Sequence, residues 1–207
     1  MSRIVLIGGG GFAKEVHEIA DLEGHEAVGY VAEAAGVVDL PYLGTIETLA
    51  ELRSRFDEVV MAFGAVDRRS LRRRAELIDR LEGQGLNFRA LVSPHATVSR
   101  GVTIEPGAIV AHGVVISVDA RIGAHAILNT SAVIGHDAIV GDRSIIAPCA
   151  FLGGAASIGK DCLIGPNATV LEGREVGDQV IVSLGSLVLR NVAEGATIPP
   201  VRSQTRR

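Results

Sequence analysis

The sequence predicts two unlike parts in one chain: a small mixed α/β unit, then an all-β parallel helix of stacked triangular coils. Three observations carry this. Every sixth residue from Val98 to Val188 is aliphatic without a break. A small residue stands four places after most of them, as at Ala120, Ala126, Ala132, Ala138, Ser144 and Ala150. Before about Ser93 the period is absent, and strand-like and helix-like segments alternate instead. A period of six fits neither the 3.6 of an α-helix nor the 2 of a plain strand. It marks hexapeptide repeats wound into a parallel β-helix.

Residues 1–92 read as a small Rossmann-like βαβ domain. Arg3 to Ile7 is an apolar run of strand length, and Gly8 to Gly11 is a tight turn. Phe12 to Leu22 has helical spacing, and Ala27 to Val31 is a second strand. Thr45 to Arg53 is a short helix with Thr45 as its cap, Glu58 to Phe63 a third strand, and Asp67 to Glu82 a helix opening on Asp67. Asn87 to Val92 is a last strand leading into the repeats.

Gly8, Gly10 and Ala13 fit G-x-G-x-x-A between a strand and a helix, and Glu33 lies 20 residues past Ala13. Bare N–H groups at a helix start can receive a phosphate. The residues leave three readings open: a nucleotide or nucleotide-sugar pocket, a turn that serves only packing, and an NAD(P) site. The first is favoured, because a dinucleotide domain needs two mononucleotide halves and this segment holds little more than one. Arg68, Arg69, Arg72, Arg73 and Arg74 share one helix. The simple expectation is a solvated face partnered by Glu76 and Asp79, with a phosphate or subunit contact as the other reading.

Residues 93–198 form the β-helix. Each hexapeptide supplies a short strand and a corner, with the aliphatic side chain pointing inward. Three units close a coil of 18 residues, so the fifteen complete units from Val98 to Leu187 make five coils. At a strand spacing of roughly 4.8 Å the prism stands about 24 Å tall. Gly often follows the aliphatic, as at Gly123, Gly135, Gly141 and Gly153, and is expected to take corner angles that a Cβ forbids. Arg174 stands where a small residue belongs. A buried unpaired guanidinium is costly, so a bulge or an outward turn is expected there. Residues 199–207 read as a basic tail, disordered by default.

Composition narrows the function. The net charge is −4 and no basic stretch has the size nucleic-acid binding needs. Aromatics are 3% and Trp is absent, which removes most stacking platforms for single strands. No apolar run is long enough to cross a bilayer, and the start lacks a signal-peptide pattern; the expected compartment is the cytoplasm. Cys149 and Cys162 fall inside the repeats without CxxC spacing and read as small buried thiols.

The histidines carry the chemistry. Residues 18 apart stack in a triangular coil, so His112 lies under Thr130, His125 under Arg143, and His136 between Val118 and Gly154. No two histidines share a column, which argues against a metal cluster within one chain. His136 occupies a corner, after Gly135 and before Asp137, with the Gly153-Gly154 pair above it. Asp137 could orient the ring and raise its basicity. Two glycines leave an open slot whose N–H groups suit a developing oxyanion.

The stretch from Asn129 to Asp142, NTSAVIGHDAIVGD, resembles the active-site segment of bacterial sugar acetyltransferases of the PglD/NeuD type. The opening Ile7-Gly8-Gly9-Gly10-Gly11-Phe12-Ala13 and the strand Gly29-Tyr30-Val31 are similar to that family's N-terminal domain. The resemblance implies a left-handed β-helix, against the usual right-handed crossover, and a homotrimer with active sites between neighbouring prisms. It implies acetyl-CoA as co-substrate along the prism, a nucleotide-linked amino sugar against the N-terminal domain, and no metal. His136 would be the general base and Asp137 its modulator. Acetyl-CoA would lie near Ile145, Gly154, Gly165 and Pro166, and the sugar nucleotide near Gly10, Gly11, Phe12, Glu33 and Gly64. Members often carry Ser-Gly-His where this chain has Gly10-Gly11-Phe12, and paired acids where it has Ala32-Glu33. Acetyl transfer is therefore better marked than the acceptor. The expected activity is N-acetylation of a nucleotide-linked amino sugar; the alternatives are a sialic-acid-type O-acetyltransferase and a non-catalytic β-helix binding protein.

Overall fold

The computed structural model describes residues 1–200, so positions 201–207 of the expected basic tail lie outside the described residues. Three parallel strands, β1 (Arg3–Ile7), β2 (Glu26–Val31) and β3 (Glu58–Met61), form a sheet in the order β2-β1-β3. Both faces of β1 are buried. Ile4 and Leu6 join a core shared with α1 (Gly11–Leu22) and the prism. Val5 and Ile7 pack with Phe56, Ile78 and Leu81 on the other side. A strand covered on both faces reads as a continuous apolar run, which is why the sequence shows no alternation there.

Helix α2 (Arg68–Gly83) starts where its cap directs. The Ser70 N–H donates to Asp67 Oδ1 at 2.7 Å, and the Asp67 N–H donates to Ser70 Oγ at 3.1 Å, a reciprocal capping box. The expected helix from Thr45 to Arg53 is shorter and tighter, a 3₁₀ helix over Ile46–Ala50. Thr45 supplies no side-chain cap; its carbonyl instead accepts from the Thr48 hydroxyl at 2.7 Å and the Thr48 N–H at 3.1 Å. That i→i+3 bonding winds the 3₁₀ form.

The rest is a parallel β-solenoid of about six turns. Its strands are two residues long, and its three faces hold seven, six and five of them. The first face begins at Leu91–Val92, the second at Thr97–Val98 and the third at Thr103–Ile104. Five coils follow from the unbroken run at Val98; the ladder gains a rung at each end, at Leu91–Val92 and Thr197–Ile198. Val92 is in phase with the series. Ile198 is not: it pairs with Val182, and Val192 bridges Val176, so the last coil is two residues short at the corner after Val188.

The glycine column has a different cause from the one expected. Gly135, Gly141 and Gly153 do not take positive φ; a Cβ at Gly135 would stand 2.6 Å from Gly153 C, inside the backbone of the next coil. Close stacking excludes the side chain. The left-handed residue falls two places later, at His125 (φ 57), Asp137 (φ 58) and Cys149 (φ 58) among others. That geometry turns Cys149 outward and exposes it, contrary to expectation, whereas Cys162 is buried. Desolvation pushes the Cys162 thiol up to about 11. Arg174 turns outward rather than breaking the ladder: its Nε donates to the Glu172 carbonyl at 3.3 Å, and Glu175 still pairs with Ser157.

The N-terminal unit rides on the first face, whose outward Leu91, Ile109, Ile127, Ile145 and Leu163 are all buried. Two of the five arginines clamp the unit to the prism, while Arg69, Arg72 and Arg73 stay exposed as a solvated face would. Arg68 donates to the carbonyls of Gln179 (2.7 Å) and Gly195 (3.0 Å). Arg74 is fully buried and donates to the carbonyls of Phe63 (3.1 Å) and His125 (3.0 Å). Asp79 serves Arg143 at 3.5 Å instead of the run, and Arg73 reaches Glu33 at 2.9 Å.

Candidate active site

The corner from Gly135 to Ala138 joins the second face to the third. His136 is held there by its own backbone, whose carbonyl accepts from Ala155 N–H at 2.7 Å in the coil above. Asp137 takes φ 58, a conformation Asp tolerates better than most residues. This twist brings its carboxylate back to the ring: His136 Nδ1 lies 2.8 Å from Asp137 Oδ2. A protonated Nδ1 leaves Nε2 as the open acceptor. The Asp137 hydrogen bond, helped by the charges of Asp137 and Glu172, raises the imidazole pKa above its ordinary value. Both side chains are more than half exposed.

Gly154 lies where the stacking arithmetic puts it. A Cβ there would stand 2.6 Å from His136 Cε1 and nearer still to Nε2. The column continues to Glu172, a further 18 residues on. Sequence reasoning missed Glu172, although the same arithmetic leads to it.

The other expected residues gather elsewhere. Gly10, Glu33 and Gly64 line a cavity of about 880 Å³ between the glycine turn, the segment after β2, and α2. Gly9 is needed for packing, since a Cβ would stand 2.7 Å from Tyr30 Cδ2. Gly10 and Gly11 face open space, and α1 starts there without a side-chain cap. Phe12, Ile145 and Pro166 line a second groove of about 460 Å³, and Gly64 borders both. Gly165 packs under the next coil, 2.8 Å from Leu184 N were it to carry a Cβ. The second groove sits on the first face and the corner beyond it. One chain therefore does not bring it to His136, which stands a whole face away.

Sequence reasoning also missed Arg80 and Glu47, which line the larger cavity together with Arg73, a member of the run for which a phosphate contact was the second reading. Arg73 and Arg80 are seven residues apart, on one side of a helix, and that spacing was the available signal. Among the described residues no group of three His, Cys, Asp or Glu side chains converges on a point where a metal ion could sit. No described helix is long and apolar enough to cross a membrane.

A prism of hexapeptide coils with an oriented imidazole at its corner defines a class, the hexapeptide-repeat transferases. Comparison with known families agrees: bacterial transferase hexapeptide repeats match residues 119–154, a succinyl-transferase hexapeptide repeat matches 155–190, and the PglD N-terminal domain matches 3–75. The chain is similar to PerB from Caulobacter crescentus, solved with CoA and GDP-perosamine, at 32% identity and TM-score 0.87, over 94% of this chain and 92% of that one. It is similar to the acetyltransferase domain of PglB from Neisseria gonorrhoeae, solved with acetyl coenzyme A, at 27% identity and TM-score 0.86, over 94% of each. WeeI from Acinetobacter baumannii shares the fold at 22% identity and TM-score 0.79, over 94% of each chain. Comparison with curated protein sequences finds no match. The chain belongs to the PglD/PerB-type hexapeptide-repeat acetyltransferases, whose prism is a left-handed β-helix.

Proposed function

We propose that this protein transfers acetyl from acetyl-CoA to the amine of a nucleotide-linked amino sugar, with His136 as general base. The observation that carries the reading is the His136–Asp137 pair at 2.8 Å beneath Gly154. An amine attacks only as its free base. As nitrogen bonds to the thioester carbon, Nε2 takes its proton; the carbon–sulfur bond then breaks, and the imidazolium gives that proton to the departing thiolate, which leaves as CoA thiol. Asp137 holds Nδ1–H and stabilises the imidazolium. A base so placed contributes typically about 10²–10⁴ in rate, and seating both substrates in one cleft supplies orientation. Relatives support the acceptor class: one solved at 31% identity is a GDP-perosamine-bound perosamine N-acetyltransferase with CoA.

The cleft needs a second copy of the chain. The groove at Ile145 and Pro166, which Phe12 lines instead of the sugar-nucleotide cavity, would take acetyl-CoA, and the cavity at Gly10, Glu33 and Gly64 the sugar nucleotide, but His136 faces away from both. A neighbouring prism would supply it, and three copies close such a ring. The second face suits that contact: Val115, Phe151 and Leu187 form an uncovered apolar stripe. The test is CoA-thiol release across UDP-, GDP- and dTDP-linked amino sugars, with the acetylated product read by mass. Absence of thiol release with every amine would overturn the reading; transfer to hydroxyl acceptors alone would replace it with O-acetylation.

A further inference from the structure

The larger cavity carries two ion pairs across its mouth that nothing in the acetyl-transfer chemistry requires. Arg73 on α2 reaches Glu33 beyond β2 at 2.9 Å. Two helical turns further on, Arg80 reaches Glu47 on the 3₁₀ helix at 3.2 Å. All four residues line the cavity. Among the described residues that line it, Arg73 and Arg80 are the cations, and Glu33, Glu47 and Glu76 the anions. The balance is therefore one negative charge in excess. A nucleoside diphosphate brings about two more, so its binding is favoured when both guanidiniums turn from their carboxylates to it.

We infer that Arg73 and Arg80 form an exchangeable latch that binds the diphosphate of the sugar nucleotide, giving up Glu33 and Glu47 to do so. The inference rests on reading this cavity as the nucleotide-sugar site. Three features make the exchange easy. The pairs are exposed, with side chains 48–89% accessible, and exposed pairs hold weakly. A guanidinium matches phosphate oxygens with paired N–H groups at least as well as it matches a carboxylate. The two arginines project from one face of one helix, so a single extended anion can meet both. Glu33 on this account competes with the ligand for Arg73. It does not hold the ligand, contrary to the contact that the resemblance implies.

The test measures direct binding of GDP and UDP, without acetyl-CoA, by calorimetry on the full chain. The double variant Arg73→Ala, Arg80→Ala should weaken the better-bound nucleotide at least tenfold, while its melting temperature stays near the parent's because both sites are on the surface. The double variant Glu33→Gln, Glu47→Gln should bind the same nucleotide severalfold more tightly, since the competing carboxylates are gone. Raising salt should narrow both differences. Affinity within twofold of the parent in the arginine variant would overturn the latch, as would weaker binding in the glutamine variant. If the parent chain binds neither GDP nor UDP, the nucleotide reading of the cavity falls, and the latch with it.

Discussion

The His136 imidazole lies directly against Gly154, one coil above it, leaving no room for a side chain at residue 154. Gly154→Ala would drive the ring out of its orientation toward Asp137 while leaving the coil ladder intact. Turnover should fall at least tenfold, about 1.4 kcal/mol on the barrier, with little change in melting temperature. Steady-state thiol release beside a thermal melt checks both. Unchanged turnover would mean that the ring's position over residue 154 does not matter to the reaction.

His136→Ala removes the base without touching the inward residues Ile134 and Ala138 of the same hexapeptide, both fully buried. Turnover should drop by about two orders of magnitude or more, while acetyl-CoA affinity holds within a few fold. A His136→Gln variant keeps the side-chain volume and should be equally slow. Near-normal turnover in either variant, measured by thiol release at saturating substrates, would remove His136 from its role.

The pH profile follows from the raised His136 pKa, whose largest cause is the Asp137 hydrogen bond. The base works only when neutral, so kcat/KM should climb as pH rises through a pKa above the usual histidine value. Asp137→Asn keeps a residue that tolerates φ 58 and removes the negative charge. The folded-state pKa should then fall and the acid limb move to lower pH, with a reduced plateau. An acid limb that stays in place would show that Asp137 does not set the basicity.

How much of this was legible depended on period. Inward residues of the prism repeat strictly, so sheet membership, the stacking of Gly154 on His136 and the corner position of the base could all be read by counting in eighteens. Counting failed at the last corner, where two residues are missing before Val192. The N-terminal unit has no such repeat. Its order of elements was readable from apolar runs and caps, Asp67 above all. The partners of α2's arginines were not, because Arg74 meets the carbonyls of Phe63 and His125, and backbone acceptors leave no mark in a sequence. Nor could the glycine column reveal its cause, since steric exclusion and positive φ select the same residue.

Arg74 should prove a structural keystone at the junction. Burial lowers its pKa to about 10, so it stays charged at neutral pH, and two of its nitrogens serve backbone carbonyls on opposite sides of the junction. Arg74→Leu would strand both acceptors, each costing about 1–3 kcal/mol. A loss of about 2–5 kcal/mol in denaturant titration is expected. Arg74→Lys should recover part of it, having one donor head where two carbonyls need service. A loss below about 1 kcal/mol would show that water replaces the guanidinium there.

The uncovered second face leads to a prediction about assembly. Val115, Phe151 and Leu187 are 40%, 44% and 56% exposed, one above another on alternate coils, with the half-buried Val133 and Thr169 between them. The first face is already covered, and the third carries Arg121, Ile139, Ser157 and Glu175 in the equivalent outward places, so its one exposed apolar side chain stands between polar ones. Among the described residues the second face therefore has the longer exposed apolar stripe, three large side chains against Ile139 alone on the third, and burial of such area drives association. Phe151→Glu would set a carboxylate in the middle of that stripe, where leaving water without a partner is costly. The parent chain should run as a trimer in light scattering and the variant as a monomer. The monomer should keep its fold, because Phe151 points away from the coil interior, yet lose acetyl transfer, because His136 and the groove at Phe12 and Ile145 would no longer face one another. A monomeric variant with full activity would place base and substrates within one chain and overturn the shared cleft.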